Sequence, residues 1–232
     1  MPITDVAPGQ TRMYMSQGEV AERIGLSRNG VGRLLNQGHF ATPDVWIARY
    51  LKGWDEQRVV EFAQAAEILD ADGQRRIDPK TGKPVNPTDG ARTRSEALHK
   101  LVSEHYSTPP TMYLGTALIA ACYQQAPAAV YITRGRSRFI PADIVISTRF
   151  GWDEQRIIEF GHQAGKFKTD DRVAEWALER TTQYHLPAAD WATEEVLKQG
   201  GNAPAQLAAA LKSAGHAVPR KVTQAAKKTP TD

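Results

Sequence analysis

Apolar residues recur at helical spacing close to the N-terminus, over residues 16–26. Val20, Ala21 and Ile24 fall on one face of a predicted helix. Ser16 stands before them with Glu19 three residues later, the pattern of a capping box that closes the first helical turn. Gly25 follows and readily adopts the left-handed conformation that ends a helix. The pattern therefore predicts a short helix that ends at Gly25.

A second apolar stripe follows over residues 27–37. Val31, Leu34 and Leu35 have the spacing of a buried helical face, and Ser27 is a suitable N-cap. Two short helices joined by a three-residue turn at a glycine are typical of a helix-turn-helix. Gly30 and Gly32 inside the second helix each cost about 1 kcal/mol relative to alanine. They indicate either a close approach of DNA to the backbone or a tolerated weakness.

The pattern then changes to that of a short β-ribbon. Residues 45–50 (VWIARY) predict a ribbon that turns back near Lys52, and Pro43 keeps the preceding chain extended. Asp55 is placed to cap a third helix. The inward face of that helix comprises Val59, Phe62, Ala63 and Ala66.

The segments GHFATPD (38–44) and GWDEQRVVEF (53–62) carry a family resemblance. Together with the two preceding helices and the ribbon, they resemble the small winged helix-turn-helix proteins of the MerR/AlpA/excisionase group, common in actinobacteria and their phages. The last helix of that group has a Trp, charged residues, an aliphatic and an aromatic residue, which Trp54, Asp55, Glu56, Val59 and Phe62 match. The resemblance implies that a winged helix binds DNA.

The hexapeptide GWDEQR occurs twice, at residues 53–58 and 151–156. Matches around it keep an offset of 99 residues before the ribbon tip and 98 after it, so the gap is about one residue near Lys52. We name residues 13–68 repeat 1 and residues 112–168 repeat 2. The predicted fold class is mainly α with short β-ribbon wings, built from tandem winged helix-turn-helix domains plus C-terminal helices.

The second helix differs between the repeats. Residues 27–30 are SRNG in repeat 1, whereas the matching residues 126–129 are APAA. Repeat 2 carries instead an aromatic residue and a basic cluster towards the end of this helix: Tyr131, Arg134, Arg136 and Arg138. Two interpretations remain open. Repeat 2 either recognises a different DNA sequence or mainly contacts phosphates.

The sequence divides into six predicted segments. They are a disordered tail (1–12), winged module 1 (13–68), a basic Gly/Pro linker (69–94), a leading helix with winged module 2 (95–168), C-terminal helices (169–215) and a basic tail (216–232).

Composition limits the function. The 232 residues are 41% hydrophobic with a net charge of +3, which permits nucleic acid as a partner. There is no bilayer-length apolar run and no signal peptide, and Cys122 is the lone cysteine, so we expect a cytoplasmic, nucleoid-associated protein. Histidines and cysteine lack metal-ligand spacing, and phosphate-loop, dinucleotide and hydrolase motifs are absent. We therefore expect no enzyme activity, no metal and no cofactor.

The candidate DNA contacts follow from these patterns. Arg28 and Asn29 begin the second helix of repeat 1, where side chains reach base edges, while Arg33, Arg49 and Lys52 are expected on phosphates. The full set is Ser27, Arg28, Asn29, Arg33, Asn36, Arg49, Lys52, Tyr131, Arg134, Arg136, Arg138 and Arg149. Each of the basic residues could also belong to an ordinary solvated surface.

The sequence thus predicts a sequence-specific double-stranded DNA-binding protein. A transcriptional regulator, in particular a repressor that reads an asymmetric site with two modules, is the first expectation. One alternative is a DNA-architecture factor such as an excisionase, a partition protein or a replication initiator. Another makes repeat 2 and the C-terminal helices a platform for a protein partner. The chain is expected to be a monomer or a weak homo-oligomer without membrane contact.

Overall fold

The computed structural model of the protein describes residues 11–48, 50–87, 100, 102–103, 110–136, 138–167, 169 and 171–227. Residues 1–10 of the predicted N-terminal tail, Arg49, much of the predicted leading helix and the end of the basic tail lie outside these residues. Arg12, the last residue of the tail predicted to be disordered, begins a strand, because its N–H is paired in the sheet. Contacts divide the chain into two units, each described by itself. The first comprises residues 1–115 and 141–152, and the second comprises residues 116–140 and 153–232.

The first unit contains repeat 1 together with strands from repeat 2. Its elements are β1 (Arg12–Ser16), α1 (Gln17–Ile24), α2 (Arg28–Asn36), β2 (Val45–Ile47), β3 (Leu51–Trp54), α3 (Glu56–Ala65), β4 (Thr111–Tyr113), β5 (Ile144–Ile146) and β6 (Arg149–Gly151). The second unit is helical, with α4 (Thr116–Cys122), α5 (Pro127–Gly135), α6 (Glu154–Gln163), α7 (Arg172–Thr182), α8 (Asp190–Gln199), α9 (Ala203–Ser213) and α10 (Arg220–Ala226).

The predicted fold class is wrong. All six strands form one mixed sheet in the order β4-β2-β3-β1-β5-β6, instead of two independent ribbons on mainly helical domains. Strand β1 of repeat 1 pairs in parallel with β5 of repeat 2, and β4 of repeat 2 pairs in parallel with β2 of repeat 1. Backbone hydrogen bonds between Leu114 and Trp152 join the two ends, so the sheet is nearly closed into a barrel.

The exchange of first strands is reciprocal. Arg12 donates its backbone N–H to the Asp143 carbonyl at 2.9 Å, and the matching Thr111 donates to the Asp44 carbonyl at 3.0 Å. A separate two-stranded ribbon would leave strand edges unpaired and would be marginal in water. Pairing with the other repeat satisfies those edges, and this is the physical reason why free wings do not form.

Side chains from both hairpins fill the sheet interior, which contains the buried residues Tyr14, Val45, Ile47, Ile144 and Ile146. The first glycine of each GWDEQR copy lies against them. A Cβ atom on Gly53 would come within 2.7 Å of Ile146, and one on Gly151 within 2.8 Å of Ile47. Glycine thus leaves room at both positions for apolar side chains of the two hairpins.

Repeat 1 also forms a helical core beside the sheet. Phe40, Trp54 and Phe62 are fully buried, with the Phe40 and Phe62 rings packed edge to face at 4.5 Å. This core includes the apolar faces that the sequence predicts for the first three helices. The capping box of α1 is confirmed: Ser16 Oγ accepts from the Glu19 N–H, and the Glu19 carboxylate accepts from the Ser16 N–H.

The segment after α3 packs onto the turn between α1 and α2. The Arg75 guanidinium lies against Gly25, where a Cβ would meet its Nη1 atom, and it donates to the Val85 carbonyl at 3.2 Å. Arg23 in turn donates to the Gly73 carbonyl at 3.1 Å. Two isolated β-bridges hold this segment together. Arg75, which composition assigns to a basic linker, therefore braces the fold.

The second unit has its own core. Its C-terminal helices bury Ala177, Val196, Leu207, Leu211 and Val222 together. Val222 belongs to α10, which lies within the sequence predicted as a basic tail. Among the described residues, no helix combines the length and the apolar character needed to cross a bilayer.

Candidate nucleic-acid interface

Local sequence fixes where α2 begins. Gly25 adopts φ = 70° and Ser27 is extended, so the chain leaves α1 and enters α2 within three residues. Ser27 Oγ accepts the Gly30 N–H at 3.1 Å, which satisfies one of the unpaired amides of the first turn. Val31 and Leu34 anchor the helix in the core. The predicted start and buried face of α2 are confirmed, although Leu35 is only partly buried.

The opposite face of α2 is polar and exposed. It carries four of the predicted contacts, namely Arg28, Asn29, Arg33 and Asn36. The helix has no acidic residue, so nothing on it repels a phosphate. Gly32 has an internal reason to be glycine, because a Cβ there would come within 2.9 Å of the Gln17 amide nitrogen. Gln17 crosses at this point to donate to the Arg28 carbonyl at 2.7 Å.

A recess of about 210 Å³ opens beside the start of α2. We name it the cationic recess. It is lined by Ser16, Gln17, Gly18, Arg28, Tyr50, Leu51, Lys52, Ile146, Ser147, Thr148 and Arg149. These residues include three cations and several hydroxyl groups, and no carboxylate is among them. Such a lining suits an anion with several oxygen atoms.

Four separate stretches of chain meet at the recess. The start of α1 and the first residue of α2 form one side. The β2–β3 hairpin brings Lys52, whose Nζ lies 5.8 Å from the centre of the Trp46 ring. The β5–β6 hairpin of repeat 2 brings Ser147, Thr148 and Arg149. The exchanged sheet is what makes these stretches neighbours.

Buried polar contacts hold the hairpin of repeat 1 against its last helix. The Asp44 carboxylate accepts from the Asp55 N–H at 2.8 Å and forms an ion pair with Arg58. Burial lowers the pKa of the Arg58 guanidinium, while Glu61 and Tyr14 oppose that shift. Tyr14 lies in the sheet interior, where burial raises the pKa of its phenol. These contacts fix the base of the hairpin that presents Lys52.

The two hairpins differ in their turns. Ile47 pairs with Leu51 across β2 and β3, which leaves three residues in the turn, whereas Ile146 pairs with Arg149 across β5 and β6 and leaves two. The single-residue gap between the repeats therefore lies in this turn, before the predicted position near Lys52. As a result Arg149 occupies the position of Leu51. Arg49, a predicted phosphate contact, is outside the described residues.

The predicted contacts on α5 and just after it belong to the second unit. Tyr131 is 47% exposed, and the Arg134 guanidinium lies 5.8 Å from its ring centre. Arg136 and Arg138 are exposed. The neighbouring Ile132 is also 54% exposed, so this helix presents apolar groups at its surface. DNA contact by this cluster stays a prediction.

The structure thus brings together Arg28, Lys52 and Arg149 from the predicted set. Sequence reasoning missed the hydroxyl and amide groups around them, from Ser16, Gln17, Tyr50, Ser147 and Thr148. No local signal identifies these residues, because they meet only through parallel pairing between the repeats. Among the described residues, no group of three or more His, Cys, Asp or Glu side chains could hold a metal ion.

No protein-family model matches the chain, and no match was found among curated proteins or solved structures.

Proposed function

We propose that the chain is a sequence-specific double-stranded DNA-binding protein that inserts α2 into the major groove. The observation that carries the proposal is the exposed, acid-free polar face of α2, whose first residue also lines the cationic recess. Arginine pairs with guanine and asparagine with adenine at base edges. Arg28 and Asn29 at the start of the helix have the residue types and exposure for this task.

The recess supports the same proposal. A helix in the major groove needs phosphate contacts on its flanks to fix its register. Cations from two hairpins lie beside the start of α2, where a flanking DNA strand would run. The resemblance of repeat 1 to DNA-binding proteins of the MerR/AlpA/excisionase group points the same way. We regard transcriptional regulation as the biological role, with DNA binding as the reason for association with the nucleoid.

The test begins with selection of bound duplexes from a random pool by the full chain. We expect enrichment of a short, non-palindromic motif, because each chain offers one polar reading helix. Arg28→Ala and Asn29→Ala should each weaken binding to that motif by about 1–3 kcal/mol. Lys212→Ala, which removes an exposed cation from α9, is the matched control and should leave specific binding nearly unchanged.

Two results would overturn the proposal. One is the absence of any enriched sequence. The other is a motif whose affinity is the same for wild type, Arg28→Ala and Asn29→Ala. Circular dichroism of each variant checks that a loss of binding is not a loss of folding.

A second role concerns the helix of repeat 2. Exposed Tyr131 and Ile132 on α5 favour contact with a protein partner over the reading of bases. Replacing Arg134, Arg136 and Arg138 together by alanine separates the two roles, because a DNA contact by this cluster would flatten the salt dependence of DNA binding. We expect the salt dependence to stay close to that of wild type.

A further inference from the structure

The hairpin of repeat 2 contributes to the cationic recess beside the reading helix of repeat 1. Ser147, Thr148 and Arg149 are exposed and line the same recess as Arg28 and Lys52. A duplicated chain would ordinarily be expected to give each repeat its own DNA site. Here part of the second copy lies at the surface of the first.

The chemistry of the recess suits a phosphate. An arginine guanidinium offers planar, paired N–H donors that match phosphate oxygens, and a lysine ammonium adds a point charge. The hydroxyl groups of Ser147 and Thr148 can donate to the remaining oxygens. The recess volume of about 210 Å³ far exceeds the roughly 10–15 Å³ that one water requires, so a polyatomic anion fits.

The position of the recess argues for a phosphate that belongs to DNA. Arg28 is the first residue of α2, and it also lines the recess. The Ser16 N–H already donates to the Glu19 carboxylate, whereas Ser16 Oγ accepts from the Glu19 N–H and keeps its own proton free to donate. The cations and the hydroxyl groups of the recess are therefore the expected anion ligands. An anion bound in the recess would therefore lie beside the DNA bases that α2 contacts.

We propose that the cationic recess clamps one backbone phosphodiester of the DNA site read by α2, with Arg149 and the Ser147–Thr148 turn of repeat 2 acting together with Lys52 of repeat 1. The proposal rests on the proposed DNA-binding function. Both repeats then serve one DNA site, with the second copy supplying the phosphate contact on one flank of the reading helix. The predicted arrangement of two independent DNA-reading modules is replaced by this shared site.

The decisive experiment uses the full chain and a set of duplexes that carry the selected motif, each with one phosphate replaced by an uncharged methylphosphonate. For wild type, we expect one position near an edge of the motif to weaken binding by about tenfold. For Arg149→Ala, the unmodified duplex should bind about tenfold more weakly, and the modification at that position should have little further effect. Arg136→Ala, which removes an exposed arginine of the second unit, is the matched control and should behave as wild type.

A second measurement tests whether the cations share a single phosphate. Lys52→Ala and Arg149→Ala should each reduce the slope of log affinity against log salt by up to about 0.9, the value for one phosphate. The slope for the double variant should fall by no more than about 0.9 in total, because both side chains contact the same phosphate and only one phosphate contact is lost. The ratio of affinities for the motif and for random DNA should be kept in Arg149→Ala and reduced in Arg28→Ala.

The failures of the two proposals are distinguishable. If wild type selects no DNA sequence, the proposed function fails. If wild type selects a motif and Arg149→Ala binds it like Arg136→Ala, only the phosphate clamp is overturned. The phosphate clamp is also overturned if Arg149→Ala weakens the binding of inorganic phosphate but leaves the affinity for DNA unchanged. In that case the recess binds a free anion and not a DNA phosphate.

Discussion

The two copies of GWDEQR form the same local structure in different surroundings. Asp55 caps α3 by accepting the N–H groups of Gln57 and Arg58, and Asp153 caps α6 by accepting the N–H of Arg156. Glu56 is exposed on the first turn of α3, whereas the matching Glu154 is only 8% exposed. The same six residues thus start a helix in both repeats, but the surrounding structure determines whether the glutamate is exposed or buried.

Glu154 is buried because helix α7 packs beside α6. Its carboxylate accepts from Trp176 Nε1 at 2.9 Å and from Arg180 Nε and Nη2 at 2.9 and 2.8 Å. Arg180 is itself 3% exposed. Buried charges are tolerated when they are paired and hydrogen-bonded, as here. A surface position in repeat 1 has become a structural ion pair in repeat 2.

Arginines brace the turn after the first helix in both repeats, and each comes from the segment that follows the last helix of its repeat. In repeat 1, Arg75 lies against Gly25. In repeat 2, Arg172 donates to the carbonyls of Cys122 and Ala121 at 2.9 Å, at the end of α4. Burial would lower the pKa of Arg172, but ion pairs with Glu179 and Glu175 outweigh this effect and raise it. The two arginines lie at nearly the same distance beyond the repeated hexapeptide, since Arg75 follows Gly53 by 22 residues and Arg172 follows Gly151 by 21.

Among the substitutions that compare the repeats, we expect the largest difference in stability for the matching residues Glu56 and Glu154. Glu154→Gln removes the charge that compensates buried Arg180 and should lower the free energy of unfolding by about 3–5 kcal/mol. Glu56→Gln makes the identical change on an exposed first turn and should shift it by less than about 1 kcal/mol. Urea unfolding followed by circular dichroism measures both. Equal losses in the two variants would contradict the comparison.

The next difference concerns the residue that ends the first helix. Gly25 has φ = 70° and the matching Gln124 has φ = 53°, so both are left-handed. Gly25→Gln should cost about 2–3 kcal/mol, since it adds the strain of a side chain in this conformation to the displacement of Arg75. Gln124→Gly relieves the strain and should be neutral or stabilising by up to about 1 kcal/mol.

Thermal and urea unfolding of these two variants test the role of Arg75. If Gly25→Gln costs no more than the strain alone, roughly 1–2 kcal/mol, Arg75 does not need the space beside Gly25. Gly165→Ala offers a control for strain without a clash, because φ there is 57° and a Cβ would meet nothing within 4 Å.

A smaller effect distinguishes the repeats at alkaline pH. Repeat 2 has Cys122 where repeat 1 has Arg23. Burial, with the nearby Glu154 charge, raises the pKa of the Cys122 thiol above its ordinary value of 9.0. Above pH 9 the thiol therefore ionises in the unfolded chain but not in the folded one. Stability present below pH 9 should be lost as the pH rises, by at most about 1.4 kcal/mol per pH unit from this group.

Urea unfolding at pH 8, 9 and 10 checks the size of this loss. Cys122→Ala should be less stable at pH 8, because it leaves space in the core, but its stability should fall less steeply between pH 9 and 10. A disulfide reagent should react with Cys122 of the native protein far more slowly than with the unfolded chain. Fast reaction of the reagent with native Cys122 would contradict a buried, protonated thiol. So would an equally steep fall of stability with pH in wild type and Cys122→Ala.

The repeat and its local structure can be predicted from the amino-acid sequence alone. The capping box at Ser16, the cap at Ser27 and the turn at Gly25 depend on groups within a few residues of one another, so their patterns suffice. The C-terminal helices beginning at Arg172, Asp190 and Ala203 also follow from local periodicity. These interactions are short in sequence and strong enough to be recognised without knowing the fold.

The pairing of the strands, in contrast, depends on contacts that form only in the folded chain. The strands β2 and β5 have three residues each, and nothing in VWI or IVI states whether an edge is left free or joins the first strand of the other repeat. Closing the sheet pairs its strand edges and buries side chains of both hairpins, a gain that depends on residues 66 and 132 positions apart in the sequence. The cationic recess and the burial of Glu154 arise in the same way, through neighbours brought close only by the completed fold.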